Sequence, residues 1–144
     1  MRALVTGAAG FIGSHLCDRL IERGAHVHAI DNLHLGRLRN IEHLIGRADF
    51  RFDEMDALDT VALDRLFREA QLDAVFHLAA NSDIAAGNRD AALDLNLNQL
   101  TTVRVLETMR AHGVSKLFFA STSAIFGERE GPIAEGDGPL EPIS

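Results

Sequence analysis

The segment Thr6 to Gly13 (TGAAGFIG) carries three glycines at a spacing that suits phosphate binding. Gly7 would permit a tight turn, and Gly10 would let the backbone approach a pyrophosphate. Gly13 would allow a helix to pack closely on a strand. The N–H groups at the start of such a helix, together with the helix dipole, attract anions. The same glycines can occur in a turn without a ligand, so the surrounding elements decide how specific the motif is.

A carboxylate follows the glycine motif at a sequence separation that suits ribose binding. Asp31 lies 18 residues after Gly13, at the end of an apolar run. A carboxylate in that place can accept hydrogen bonds from both hydroxyls of an adenosine ribose. It would repel a 2′-phosphate, and the nearby Arg37 and Arg39 would offset only part of that repulsion. These residues therefore favour NAD over NADP, the alternative being a solvated aspartate at a strand end.

The elements that must position these residues alternate between β and α patterns. Apolar runs predict five strands, over Arg2 to Thr6, His26 to Ile30, Phe50 to Phe52, Asp73 to Leu78 and Lys116 to Ala120. Helical spacing predicts helices over Phe11 to Arg23, over Asn40 to Ile45, after the N-cap residue Asp59, and over Ala91 to His112. Strands joined in this way imply right-handed crossovers. The predicted fold class is α/β, a Rossmann-like doubly wound parallel sheet with helices on both faces, truncated after the fifth strand.

Composition sets further limits. The 144 residues suit one domain, and 21 acidic against 14 basic residues give a net charge of −7, which disfavours nucleic acid and anionic lipid as partners. The apolar runs are shorter than a bilayer requires, and the chain starts directly with a strand pattern. We therefore expect no membrane partner and a cytoplasmic location. The single cysteine, Cys17, is expected in the core, and the seven histidines lack zinc-site spacing, so no metal site is predicted.

The glycine motif and the segment Asp31-Asn32-Leu33 resemble the extended short-chain dehydrogenase/reductase family, in its branch of nucleotide-sugar epimerases and dehydratases. The resemblance spans essentially the whole chain, and Thr6 to Gly13 match the family motif letter for letter. It implies NAD as the cofactor. It also assigns cofactor contacts to Gly7, Gly10, Phe11, Ile12, Gly13, Asp31 and Asn32.

Three further segments resemble cofactor-binding parts of that family. Asp56-Ala57 stands where the family reads the adenine edge. Leu78-Ala79-Ala80 resembles a segment whose small residues let the nicotinamide half lie against the backbone. Asn98 and Thr102 align with a helix pattern in which Thr101 replaces the family's glycine. From the residues alone, Asn98 is as well explained by a structural role as by a cofactor contact.

Ser121 to Gly127 resembles the family's segment at the carboxyl end of the fifth strand. The resemblance gives Thr122 the place of the catalytic hydroxyl, which hydrogen-bonds the reacting sugar oxygen. A cap of the strand end is the alternative role for Thr122. The Ser123-Ala124 pair is similar to that of epimerases, whereas dehydratases carry Asp-Glu there. The resemblance thus favours 4-epimerisation of a UDP-sugar by transient oxidation and reduction with NAD.

The family's general base is the tyrosine of a Tyr-x-x-x-Lys helix, and this chain contains no tyrosine. Glu141 to Ser144 resembles the approach to that tyrosine. We therefore expect residues 1–144 to be an incomplete NAD-binding domain, catalytically inactive by itself. The intact parent would take a nucleotide sugar as substrate, and a homodimer remains open. A dehydratase parent, or a stand-alone dinucleotide-sensing or interaction domain ending at Ser144, are the alternatives.

Overall fold

The computed structural model describes residues 1–126 and 131–137, and within them five strands form one parallel sheet. The strands are β1 (Arg2–Thr6), β2 (His26–Asp31), β3 (Phe50–Glu54), β4 (Ala74–His77) and β5 (Leu117–Phe119). Their order is β3-β2-β1-β4-β5, and every neighbouring pair is parallel. The predicted doubly wound sheet is confirmed. The chain leaves β1 first towards β2 and β3 and later towards β4 and β5, so the winding reverses between β1 and β4.

The helices alternate with the strands as predicted, with three differences, one of which is a helix over Ile84–Arg89 that the sequence did not predict. The main helices are α1 (Phe11–Glu22), α2 (Thr60–Ala70), α3 (Ile84–Arg89), α4 (Ala91–Asp94) and α5 (Thr101–Ala111). A π-helical segment, Leu95–Leu100, joins α4 to α5, where one regular helix was predicted. Two short 3₁₀ turns, Leu38–Asn40 and Glu42–Leu44, replace the predicted helix over Asn40 to Ile45. Such short turns are too brief to show a full helical period in the sequence.

Alternate residues of β1 face two different cores. Ala3 and Val5 pack with residues of α1, whereas Leu4 packs with residues of α2 and α5. Both faces of the sheet are thus covered, which is why parallel strands read as continuous apolar runs. Cys17 is fully buried, as predicted. Burial, with a smaller contribution from Asp18, raises the pKa of the Cys17 thiol to about 12, so this residue acts as apolar core.

Asp59 caps α2 as predicted. Its Oδ1 accepts hydrogen bonds from the backbone N–H groups of Val61 (3.1 Å) and Ala62 (3.0 Å). An Asp59→Ala variant is expected to lose about 1 kcal/mol of unfolding free energy, because these N–H groups lose their acceptor. Urea unfolding measures this as a lower midpoint with an unchanged m-value. Asp59→Asn keeps an acceptor and should stay near wild type, and equal midpoints for all three proteins would contradict the capping role.

The lengths of the helices can be compared with the thickness of a lipid bilayer. In the described ranges, no helix is both long enough and apolar enough to cross a lipid bilayer. The longest continuous helical run, residues 91–111, contains several charged side chains.

Candidate dinucleotide-binding site

The carboxyl ends of β1 and β4 lie side by side at the point where the winding reverses. Thr6 and His77 are register partners at this end of the two strands. The β1–α1 turn follows Thr6, and the segment Leu78 to Ala80 follows His77. Ligands of open parallel sheets bind outside the strand ends at such a reversal point. The structure thus brings the predicted glycine turn and the predicted Leu78-Ala79-Ala80 segment to the same place.

The glycine turn is shaped by close backbone contacts. Gly7 adopts a φ of +69°, and a Cβ there would lie 2.8 Å from the Ala79 backbone nitrogen. A Cβ on Gly13 would lie 2.1 Å from the Gly7 carbonyl oxygen, and one on Gly10 would lie 3.2 Å from the same atom. Only hydrogen fits at Gly7 and Gly13, and Gly10 leaves little room. The strand and the helix therefore approach as closely as the motif predicted.

The start of α1 fits an anionic ligand. No side chain of the described residues caps its first turn, and that turn carries no acidic residue. The leading N–H groups of a helix need an acceptor, and a pyrophosphate supplies one. Phe11 and Ile12 are 79% and 64% exposed on this turn. Large apolar side chains in the open next to an uncapped helix start are consistent with a surface that a ligand covers.

Asp31 stands at the end of β2 and holds the turn from the side. Its Oδ2 accepts a hydrogen bond from the Ala9 backbone N–H at 2.9 Å, and its Oδ1 accepts one from Leu33 at 2.8 Å. An ionised carboxylate has about four acceptor positions, so lone pairs remain for ribose hydroxyls. Asp31 is buried in spite of its charge. The carboxylate therefore both shapes the turn and keeps acceptor capacity for a ligand.

A loop that the sequence did not single out wraps around the turn. The Ala9 carbonyl accepts hydrogen bonds from the Arg37 backbone N–H at 2.9 Å and from the Asn40 side chain at 2.8 Å. Gly36 lies against Asp31, and a Cβ on Gly36 would come within 2.6 Å of its Oδ1. A glycine five residues after Asp31 was visible in the sequence. Its role depends on a contact that spacing alone does not reveal.

Asn32 and Asp56 meet across the ends of β2 and β3. The Asn32 side-chain amide donates to Asp56 Oδ2 at 3.1 Å, and the Leu58 backbone N–H donates to Asp56 Oδ1 at 2.8 Å. Ala57 is buried beside them. Two residues that the resemblance assigned separately to the ribose and the adenine thus lie side by side. Their contacts with a cofactor stay a prediction.

A buried polar network joins the ends of β1 and β4. Thr6 Oγ1 lies 2.7 Å from His77 Nδ1, and Thr102 Oγ1 lies 3.0 Å from His77 Nε2. Thr6 Oγ1 also accepts hydrogen bonds from the backbone N–H groups of Leu78 (3.2 Å) and Ala79 (3.1 Å). Burial lowers the pKa of His77 to about 4, so the ring is neutral near pH 7. The sequence analysis assigned no role to this histidine.

Asn98 lies in the π-helical segment and is exposed. Its Oδ1 accepts a hydrogen bond from the Asn81 backbone N–H at 2.6 Å, and its side-chain amide donates to Asp94 Oδ1 at 3.1 Å. The hydroxyls of Thr101 and Thr102 donate to the Leu97 and Asn98 carbonyl oxygens, each at 2.6 Å. These bonds give Asn98 a role in holding the loop after β4. A cofactor contact by Asn98 stays a prediction.

Thr122 follows β5 and is exposed at the carboxyl end of the sheet. It directly precedes a 3₁₀ turn, Ser123–Phe126. This is the sheet end at which the other predicted site residues lie. Its assignment as the catalytic hydroxyl stays a prediction. Gly127 and the stretch Glu141 to Ser144, which also carry the resemblance, lie outside the described residues.

Several histidines pair with aspartates of other elements, which their positions in the sequence could not reveal. His28 Nε2 lies 2.6 Å from Asp53 Oδ2, across β2 and β3, and burial lowers the pKa of His28 although the hydrogen bond to Asp53 opposes this. His43 pairs with Asp18, and His112 with Asp64. Within residues 1–126 and 131–137, no group of three or more His, Cys, Asp or Glu side chains is placed to hold a metal ion.

Together, the parallel strand order and the glycine turn between β1 and α1 give the chain a Rossmann-like α/β fold. The family model for the NAD dependent epimerase/dehydratase family matches residues 3–144. The chain therefore belongs to the NAD dependent epimerase/dehydratase family. The family resemblance found in the sequence is confirmed, and so, at the level of the family, is NAD as the cofactor.

The chain is similar in sequence to several UDP-glucose 4-epimerases. The chain is 38% identical to that of Bos taurus over 135 residues, covering 88% of this chain and 38% of the relative. It is 37% identical to that of Mycolicibacterium smegmatis, covering 100% of this chain and 46% of the relative. The chain thus spans less than half the length of these relatives.

Solved structures agree with the sequence comparison. The UDP-glucose 4-epimerase of Thermus thermophilus, in complex with NAD, has a TM-score of 0.85 and 41% identity, covering 100% of this chain and 45% of that one. The UDP-glucuronic acid 4-epimerase of Bacillus cereus, in complex with UDP-glucuronic acid and NAD, has a TM-score of 0.82 and 35% identity, with coverages of 100% and 47%.

Proposed function

We propose that this chain is the NAD-binding part of a nucleotide-sugar epimerase whose parent interconverts UDP-sugars at C4. One observation carries the proposal. The Ala9 backbone N–H, in the turn just before the uncapped start of α1, donates a 2.9 Å hydrogen bond to the Asp31 carboxylate and so keeps Asp31 next to that turn. A pyrophosphate on the helix start and an adenosine ribose on Asp31 are adjacent parts of one NAD molecule.

In this proposal, bound NAD supplies reversible hydride acceptance. The chain's own residues bind and orient. The helix start donates N–H groups to the pyrophosphate, Asp31 accepts from the ribose hydroxyls, and Asn32 with Asp56 borders the adenine. Thr122, at the end of β5, holds the reacting sugar hydroxyl by a hydrogen bond. The proton of that hydroxyl needs a base, and the family resemblance assigns the base to a tyrosine that this sequence does not contain.

The 144-residue chain is therefore proposed to bind NAD without catalysing epimerisation. Its parent would hold the nucleotide sugar with further residues. Similar proteins named as 4-epimerases of UDP-glucose and of UDP-glucuronic acid support this substrate class. The Ser123-Ala124 pair after Thr122 supports epimerisation over dehydration by the family resemblance.

Titration calorimetry with NAD and NADP tests the proposal. Wild type is expected to bind NAD at least about tenfold more tightly than NADP, because the Asp31 carboxylate repels a 2′-phosphate. Gly10→Val should weaken NAD binding by about tenfold or more, since the added side chain enters the path of the pyrophosphate. Asp31→Asn should reduce the preference for NAD over NADP.

Asp49→Asn serves as the matched control, because Asp49 precedes β3 at the opposite end of the sheet, where it pairs with Arg47. It should bind NAD as wild type does. A wild-type chain that binds no NAD, or binds both dinucleotides equally, would refute the proposed site. Conversion of UDP-glucose to UDP-galactose by the chain alone would refute its proposed inactivity.

A further inference from the structure

His77 lies at the carboxyl end of β4, beside the proposed site, but is not among the proposed cofactor contacts. Its ring is 1% exposed on β4, with hydroxyl groups at both nitrogens. A neutral histidine has one donor nitrogen and one acceptor nitrogen, and its neighbours decide which is which. The two hydroxyls can therefore be used to assign the proton.

The Thr6 side provides the first assignment. Thr6 Oγ1 already accepts from the Leu78 and Ala79 backbone N–H groups. A hydroxyl oxygen has two acceptor positions and one proton to donate. The remaining interaction, 2.7 Å from His77 Nδ1, must therefore use the Thr6 proton. Nδ1 is then the acceptor and carries no hydrogen.

The Thr102 side provides an independent assignment. The Thr102 hydroxyl donates its only proton to the Asn98 carbonyl oxygen at 2.6 Å, and a carbonyl can only accept. The contact between Thr102 Oγ1 and His77 Nε2 at 3.0 Å must then use a proton on Nε2. The hydrogen bonds on the Thr6 side and on the Thr102 side therefore assign the same tautomer, with hydrogen on Nε2. A proton on Nδ1 would leave the Thr6 hydroxyl without its acceptor.

We propose that His77, as the Nε2–H tautomer, is a positioning residue of the cofactor site. The chain of hydrogen bonds runs from the Leu78 and Ala79 amides through Thr6, His77 and Thr102 to the π-helical segment. It holds the Leu78–Ala79 backbone against the glycine turn, where a Cβ on Gly7 would lie 2.8 Å from the Leu78 carbonyl carbon. This inference rests on the proposed function, in which that backbone borders the nicotinamide half of NAD.

The tautomer is measured first and needs no cofactor. Two-dimensional ¹⁵N NMR of the chain labelled at histidine nitrogens distinguishes protonated from unprotonated ring nitrogens, and the signals missing in His77→Asn assign the ring. At neutral pH, Nδ1 is expected to be unprotonated and Nε2 protonated. A hydrogen on Nδ1 would overturn the inference, whether or not the chain binds NAD.

The positioning role is measured by binding. Thr6→Val and His77→Leu remove the Thr6–His77 hydrogen bond, and each is expected to weaken NAD binding about three- to tenfold. ADP-ribose, which lacks the nicotinamide, should lose less affinity. His77→Asn places a carbonyl oxygen near the position of Nδ1 and should recover part of the NAD affinity. His28→Asn, at another buried strand histidine, should leave the ratio of NAD to ADP-ribose affinity unchanged.

Equal losses for NAD and ADP-ribose, or the same change in His28→Asn, would show general loosening of the sheet and would overturn the positioning role. Wild type that binds neither compound would refute the proposed function and this role with it. If wild type binds NAD normally but Thr6→Val leaves the ratio of NAD to ADP-ribose affinity unchanged, the positioning role alone is refuted and the proposed function stands.

Discussion

Gly13→Ala is expected to lower the free energy of unfolding by about 3 kcal/mol, the upper end of the usual cost of overpacking, because neither side of the contact can move. The added Cβ would lie 2.1 Å from the Gly7 carbonyl oxygen and 2.8 Å from the Ala8 Cα. These are backbone atoms of a tight turn and cannot rotate away. Helix propensity alone predicts the opposite sign, because alanine in a helix interior is about 1 kcal/mol better than glycine.

Urea unfolding of Gly13→Ala measures this effect, with Gly136→Ala as its control. A Cβ on Gly136 meets no atom within 4 Å. The same chemical change should therefore leave stability there within about 0.5 kcal/mol of wild type. A Gly13→Ala variant as stable as Gly136→Ala would mean that α1 does not lie against the turn as described. NAD affinity should fall together with stability, because the turn would separate from the helix start that is proposed to hold the pyrophosphate.

Acid is expected to destabilise the chain through His77. Burial lowers the pKa of His77 from 6.5 to about 4, so between these pH values the unfolded chain binds a proton that the folded chain does not. The resulting stability is complete above pH 6.5 and is lost as pH falls to 4. The loss amounts to about 3 kcal/mol. Within the described residues, the ring of His77 contacts the side chains of Thr6, Thr102 and Phe119, and none of these three carries a charge.

The measurement compares the unfolding free energies of wild type and His77→Asn at about pH 7 and about pH 4.5, on either side of the ordinary histidine pKa. The cost of the substitution should be smaller at the lower pH, because wild type alone loses the contribution of the neutral ring. Val75→Ala removes buried volume from the same strand without removing a titratable group, and its cost should stay the same at both pH values. A pH-independent cost for His77→Asn would contradict a buried, neutral His77.

The fold class could be predicted because its causes are local and repeated. Parallel strands buried on both faces appear as apolar runs, and helices with one buried face appear as spaced apolar residues. The strand order β3-β2-β1-β4-β5 was not predicted. The π-helical segment was not predicted either, because a regular apolar spacing continues through Leu95–Leu100. The hydroxyls of Thr101 and Thr102 accompany it by bonding carbonyl oxygens one turn earlier.

The sequence by itself determined the glycine turn, the strand-end carboxylate and the family, because these depend on residue types at short, regular spacings. Only the tertiary structure decided which distant groups meet. Asp31 bonds Ala9 across 22 positions, and Thr6 bonds His77 across 71. The physical reason is that such contacts depend on how strands align in the sheet. Hydrogen bonds between elements are set by that alignment, and no local pattern of residues records it.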